Sequence, residues 1–347
     1  MANPKKYALG IDLGGTKTLV AVVDITTGEV IASERKRTHA EKGQEYIAQH
    51  ITHLSAAALE SAKLPAGAEI VAVGIGAAGQ IDRKKGVVVD APNLGVKDMP
   101  MAEILGKQFG KPVAVGNDVE VAALGEYLYG SGRGYSTFVV VFVGTGIGGG
   151  IVQNGRLYAG LTGTAGEVGH MTIQAGGRIC PCGSRGCLEA YASRTAITTV
   201  IMAEIHHGRN SVLTEEAELQ LTDGETIIRS GLLAHALKHG DALVTEIVTE
   251  AADYLGYGLA SVMNFYNPEC IILGGGVIEA IDLLFERAVH RARITALADP
   301  GRKTKIIRAK LGDFSGVVGA ACLGAQAAGL FGAHPSATVA PGAPGLV

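Results

Sequence analysis

The stretch Tyr7-Ala-Leu-Gly-Ile-Asp-Leu-Gly-Gly-Thr-Lys-Thr-Leu-Val-Ala-Val-Val-Asp24 sets two β-rich apolar runs on either side of Gly14-Gly15-Thr16. It reads as a strand, a glycine turn and a second strand, with Thr26-Thr27-Gly28 as the next turn. The same design returns at Thr137-Phe-Val-Val-Val-Phe-Val-Gly-Thr-Gly-Ile-Gly-Gly-Gly-Ile-Val-Gln153, followed by Asn154-Gly155 as a hairpin turn before Arg156-Leu157-Tyr158. A duplication of this kind implies two related α/β lobes facing each other, and clefts between lobes are where small ligands bind.

Outward from the first pair, Ile47, Ile51, Leu54, Ala58 and Leu59 recur at helical spacing between Gln44 and Ala62. Ile70 to Ile75 then supplies a buried strand, so the opening unit reads β-β-α-β. From Thr195 to Tyr266 the pattern is helical, with apolar stripes over Ile227 to His239 and Ala242 to Asn264. A strand at Cys270 to Leu273 ends in Gly274-Gly275-Gly276, and the last periodic segment, Gly316 to Leu330, gives way to an Ala/Pro/Gly tail.

With 347 residues the chain has room for about two domains. Its 47% apolar content and 50 glycines against 18% charged residues describe a globular protein rich in tight turns. A formal charge of −3 without a basic run lacks the footprint of a nucleic-acid binder. Asp12 interrupts the apolar stretch that follows Lys6, against a signal peptide. Phe138 to Val143, the longest apolar run, falls far short of the about 20 residues a membrane span needs, so the expectation is a soluble, cytoplasmic protein with no membrane partner.

Three glycine-rich turns each follow an apolar strand: Gly14-Gly15-Thr16-Lys17, Gly144 to Gly150 and Gly274 to Gly276. Without Cβ atoms, such turns let backbone N–H groups approach a phosphate or sugar closely. A single Gly-Gly is more often a tight hairpin, but three at strand ends favour a nucleotide. None matches the Walker pattern, and none is expected to open a helix as a dinucleotide fingerprint does.

Asp12, at the end of the first strand, is placed to hold Mg²⁺ through water beside the β- and γ-phosphates, or else to cap the turn. Val113-Ala-Val-Gly-Asn-Asp-Val-Glu120 delivers Asn117 and Asp118 just ahead of a helix-like run. Phosphoryl transfer to an alcohol needs a base at the acceptor oxygen, a role assigned to Asp118. The alternative for Asp118 is the N-cap of that helix, which Asn and Asp both suit.

Glu167-Val-Gly-His170 is followed, after nine residues, by Cys180-Pro-Cys182-Gly-Ser-Arg-Gly-Cys187-Leu-Glu189. His170, Cys180, Cys182 and Cys187 form a complete tetrahedral zinc set, whereas Cys270 and Cys322 lie alone among apolar residues. A redox pair or a disulfide is the alternative, although Cys-x-Cys is cramped for an intrachain bridge. With no open ligand position the zinc would be structural, fixing a loop flanked by Glu167 and Glu189, which become candidate sugar clamps.

The motifs Asp12-Leu-Gly-Gly-Thr-Lys17, Gly144-Thr-Gly-Ile-Gly-Gly-Gly150, Glu167-Val-Gly-His170 and Cys180-x-Cys182-Gly-x-x-Gly-Cys187-x-Glu189 resemble, in order, those of the ROK family of repressors, open reading frames and kinases. The resemblance runs from about Tyr7 to about Leu330. It implies an α/β fold of the sugar kinase/actin type, with two actin-like (ribonuclease H-like) lobes around a central cleft. A small N-terminal lobe would comprise residues 1–117 plus 315–333, with the final helix after Phe314 returning to it, and a large lobe residues 118–314 with the zinc loop (170–187), leaving 334–347 as a flexible tail.

By the same resemblance, sugar hydroxyls would meet Gly79, Asn93, Asn117, Asp118, Glu167, His170 and Glu189. ATP with Mg²⁺ would meet Asp12, Gly14, Gly15, Thr16, Lys17, Gly144, Thr145, Gly146, Gly274, Gly275, Gly276 and Val277, and Asp118 would be the base. His170 would serve zinc and sugar through different ring nitrogens. The implied activity is ATP-dependent phosphorylation of a hexose, glucose first, in a homodimer or homotetramer. The family's repressors carry a helix-turn-helix ahead of the kinase-like part, and here the phosphate turn already starts at Asp12, so the expectation is a kinase. One departure is Pro92-Asn-Leu-Gly-Val-Lys-Asp-Met-Pro100, where glucokinase-like members often have a tryptophan and this chain has none. Kinases for N-acetylglucosamine, N-acetylmannosamine, mannose, fructose or allose, a polyphosphate donor, and a non-catalytic sugar sensor are the alternatives.

Overall fold

A computed structural model describes residues 6–214 and 227–330. Strands β1 (Lys6–Leu13) and β2 (Lys17–Asp24) form the expected hairpin across the first glycine turn. Next along the chain come β3 (Glu29–Arg37) and β4 (Glu69–Ala77), then a small sheet of β5 (Gln80–Asp82), β6 (Val87–Ala91) and β7 (Val96–Met99), then β8 (Val113–Asn117). The first large sheet has the order β3-β2-β1-β4-β8, antiparallel through the hairpins and parallel from β1 to β8.

The second half repeats this plan with β9 (Phe138–Val143), β10 (Ile147–Gln153), β11 (Arg156–Leu157), β12 (Cys270–Gly274) and β13 (Lys305–Arg308). Their order, β11-β10-β9-β12-β13, matches the first sheet position for position, with β12 parallel to both neighbours. Ligands of open α/β sheets sit beyond the carboxyl ends of the parallel strands. In both sheets those ends carry the glycine turns or Asn117.

The opening unit is therefore β-β-β-α-β, and the sequence expectation of β-β-α-β missed β3. Glu29, Glu34, Arg35, Lys36 and Arg37 make it an edge strand whose charge discourages further pairing and hides its strand character. The helical patterns at Ile227 to His239 and Ala242 to Asn264 are helices Ser230–Lys238 and Ala242–Tyr266, the latter capped by Asp241 accepting from Val244 N at 3.0 Å. The expected tail at 334–347 lies outside the described residues.

Helix Gln44–Ala62 covers one face of the first sheet, with Ile47, Ile51, Leu54 and Ala58 buried against Leu9 and Ile11. The other face is covered by helix Ser315–Ala327, through Val317, Val318 and Ala321. That helix also crosses helix Asp118–Tyr129 at very short range, because a Cβ on Gly319 would fall inside the contact radius of the Val121 carbonyl oxygen. Gly74 meets the Ala320 carbonyl in the same way on the sheet. Backbone lies on backbone, a contact only glycine permits.

Beside this crossing Glu126 is fully buried. Its carboxylate accepts from Ser131 N (2.7 Å), Lys310 N (3.1 Å), Leu311 N (2.9 Å) and Ser315 Oγ (2.8 Å), so the charge is satisfied on both oxygens. Among the described residues no helix is long and apolar enough to cross a membrane.

Candidate active site

The first glycine turn is held from behind by Thr38. Its N–H donates to Thr16 O (3.0 Å) and its hydroxyl to Gly14 O (2.6 Å), with Thr18 Oγ1 also 3.0 Å away. Thr16 and Lys17 face solvent. Gly15 lies against the 3₁₀ turn Pro92–Leu94, where a Cβ would come within 2.8 Å of Asn93 O, so Asn93 stands beside the first glycine turn.

Asp12, partly buried at the end of β1, has its carboxyl pushed up to about 7 by burial, by Asp118 and by Asp313, against the opposing Arg35 guanidinium. A carboxyl raised this way holds its proton more tightly folded than unfolded. Its contribution to stability therefore falls as pH rises from its ordinary 3.8 towards 7. A divalent cation placed beside such a carboxyl would reverse that preference.

Asp118 is the first residue of helix Asp118–Tyr129, and the cap is its neighbour. Asn117 Oδ1 accepts from Val119 N (3.0 Å) and Glu120 N (3.3 Å), while its amide donates to Gly79 O (3.2 Å). Asp118 Oδ1 also accepts from Val119 N, at 2.9 Å. The N-cap alternative for Asp118 thus passes to Asn117. Burial raises the Asp118 pKa, with Glu167 adding to it and the Val119 N–H opposing. Gly79 contributes through backbone: its φ of +108° and the Asp90 carbonyl behind it leave no place for a side chain.

Glu167 is itself raised by burial and by Glu189, with His170 opposing. Glu189 Oε2 accepts the N–H of Ile147 at 2.8 Å, tying the second glycine turn to the cysteine-rich loop. Arg194 donates to Thr145 Oγ1 (2.8 Å) and Thr195 Oγ1 to Thr145 O (2.7 Å), strapping the same turn to helix Arg194–His206. Gly275, at φ +90°, sits where a Cβ would be 2.5 Å from Val143 O, so the third turn abuts the end of β9. Contrary to the sequence expectation, this turn does open a helix, the short Gly276–Ala280. Val277, expected to meet the nucleotide, is fully buried, so the structure does not expose it to a ligand.

Sequence reasoning missed several charges here. The Arg35–Asp313 ion pair (2.7 Å) flanks Asp12, and the same two side chains act on Glu279 in the helix after the third turn. Arg83 pairs with the buried Glu120, linking the β5–β6 turn to helix Asp118–Tyr129. Asp313 had one local signal, a Gly312-Asp-Phe turn ahead of the final helix. The carboxylates are linked in series: Glu189 acts on Glu167, Glu167 on Asp118 and Asp118 on Asp12, while Asp313 acts on both Asp12 and Glu279. The second turn is attached at one end and the third at the other.

The ligand atoms of His170, Cys180, Cys182 and Cys187 all lie within 4.8 Å of one another. Cys182 and Cys187 Sγ are 3.8 Å apart, and Cys180 Sγ is 3.7 Å from His170 Nδ1. Zinc–sulfur bonds of about 2.3 Å at tetrahedral angles put sulfurs about 3.8 Å apart, so the donor set fits zinc. His170 turns its other nitrogen, Nε2, towards Glu167 Oε2 at 3.9 Å.

The model of the ROK family matches residues 8–327. A glucokinase from Halalkalibacterium halodurans is 34% identical over 318 residues, covering 90% of this chain and 93% of that protein. A putative xylose repressor from Caldicellulosiruptor is 32% identical over 278 residues, covering 80% of this chain and 68% of the repressor. The crystal structure of a ROK family glucokinase from Streptomyces griseus in complex with glucose and AMPPNP superposes with a TM-score of 0.79 at 33% identity, covering 92% of this chain and 99% of that one.

Proposed function

Because the chain belongs to the ROK family and is built on its actin-like, ribonuclease H-like fold, we propose that it transfers the γ-phosphoryl group of ATP to the 6-hydroxyl of a hexose, glucose foremost. The observation that carries this is the placement of Asp12 at the end of β1 and of Asp118 directly after β8, at the carboxyl ends of parallel strands in one sheet beside the first glycine turn. In keeping with that placement, the charge of Asp118 helps to raise the Asp12 carboxyl and that of Glu167 the Asp118 carboxyl. A base with a raised pKa between a metal-side and a sugar-side carboxylate suits proton removal from an alcohol near neutral pH.

In this reaction Asp118 takes the hydroxyl proton as the sugar oxygen bonds to phosphorus and ADP leaves. Asp12 would hold Mg²⁺, which would neutralise phosphate charge, and the N–H groups of the three glycine turns would take up more of it. Asn93, Asn117, Glu167, His170 and Glu189 orient the sugar. His170, Cys180, Cys182 and Cys187 would hold zinc, which would fix the loop and leave the other His170 ring nitrogen as an N–H donor. The likeness to a relative solved with glucose and AMPPNP supports both substrates.

A coupled assay of ADP release with ATP and Mg²⁺ across glucose, mannose, fructose, N-acetylglucosamine and N-acetylmannosamine tests the substrate, with glucose expected fastest. Preference for an N-acetylated sugar would keep the chemistry and replace the substrate. The xylose repressor likeness favours a second reading, a sugar-responsive regulator without turnover. Sugar binding by calorimetry with no ADP release on any of the five sugars would select it.

Metal analysis of the purified protein is expected to find about one zinc per chain. Removing it with a chelator should lower both Tm and sugar affinity. Protein that is free of zinc and unchanged in both would overturn the zinc assignment.

A further inference from the structure

Behind the first glycine turn, between the end of β3 and helix Gln44–Ala62, lies a cavity of about 230 Å³. Lys36, Arg37, His39, His50 and His53 line it, and Tyr46 and Leu54 complete the wall. Five nitrogen-bearing side chains converge here in a chain whose net charge is −3, and no carboxylate lines the cavity. Glu41 is engaged with His39 Nδ1 at 3.0 Å. Lys42 adds a further cation at the rim, over the Tyr46 ring at 4.6 Å.

A second observation points to a ligand. His50 is 9% exposed and stacks on Tyr46 at 5.6 Å, yet its Nε2 is buried with no hydrogen-bond partner. Buried ring nitrogens are ordinarily paired, and this one, in a side chain that lines the cavity, is left without a partner by the chain itself.

We propose that this cavity is a second, non-catalytic binding site for a small phosphorylated anion. Lys36 and Arg37 supply permanent charge, Arg37 the paired donors that suit phosphate oxygens, and the three imidazoles supply further N–H donors. The aromatic and aliphatic side of the cavity suits a short organic moiety attached to the phosphate.

The site is joined to the cleft by its own walls. Lys36 and Arg37 are in register with Thr18 and Lys17 of β2, the strand that leaves the glycine turn. Thr38, next in sequence, bonds Gly14 O. The turn Ala40–Lys42 contacts Pro92–Leu94, which carries Asn93, and Gln44 Nε2 donates to Lys97 O at 2.9 Å. None of the lining side chains has a part in the phosphoryl transfer described above.

The test is calorimetric titration of the full chain with inorganic phosphate and, separately, with glucose 6-phosphate, on wild type, Arg37→Gln and His53→Gln. The cleft also takes phosphate, so titrations are run with ATP analogue and glucose saturating. Wild type is expected to bind at least one of the two probes under these conditions, with affinity reduced tenfold or more in each variant and basal kcat unchanged. Binding of inorganic phosphate alone would identify the free ion as the ligand, and tighter binding of the sugar phosphate an organic monoester. No binding by wild type, or equal binding by wild type and both variants, would overturn the proposal.

Discussion

Asp118→Asn should lose about 10²- to 10⁴-fold in kcat, the usual contribution of a positioned general base, with glucose affinity changed no more than a few-fold. The amide oxygen can still accept the Val119 N–H, and the helix keeps its cap because Asn117 supplies it. Fold and site shape are therefore preserved while the proton acceptor is removed. Loss of this charge also removes one of the causes that push the Asp12 carboxyl up. ADP-release kinetics paired with calorimetric glucose binding separates the effects. A variant within tenfold of wild-type kcat would falsify the assignment of Asp118 as base, and a large fall in Tm would point to a structural role for the side chain.

The largest loss of stability is expected from Gly319→Ala, at about 3 kcal/mol or somewhat more, the upper range for overpacking. The added methyl meets the Val121 carbonyl, and backbone in the middle of a helix cannot step aside as a flexible side chain can. Gly231→Ala is the control. It is also a helical glycine, but open space surrounds it, and the substitution should stabilise by about 0.5–1 kcal/mol through helix propensity. Denaturant midpoints measure both. Equal behaviour of the two variants would show that the crossing is looser than its geometry implies.

How much of this was legible in the sequence depended on whether the signal was local. Both hairpins were readable because each glycine turn is framed by apolar strands, and the cysteine cluster because four metal-binding side chains fall within eighteen positions, 170 to 187. The edge strand β3 was hidden by its charges, and β5 to β7 by their shortness. Adjacent Asn117 and Asp118 both suit a cap, and only backbone geometry separates them. The helix opened by Gly276 spans five residues, too few for a period to show. Arg35 and Asp313 are far apart along the chain, and nothing near either announces the other. The converging nitrogen-bearing side chains behind the first turn are likewise a product of tertiary folding, since β3 and helix Gln44–Ala62 each supply part of the set.

The closing helix Ser315–Ala327 also has a consequence for biosynthesis. The sheet it covers is complete once β8 ends at Asn117, yet its cover begins only at Ser315. At a synthesis rate of roughly 5–20 residues per second, the about 200 residues between them take roughly 10–40 s to make. Throughout that interval Ala8, Leu19, Ala21 and Val23 belong to a sheet face whose covering helix does not yet exist. The growing chain must be shielded there from its neighbours, and a message truncated shortly before codon 315 would yield a product unable to bury that face.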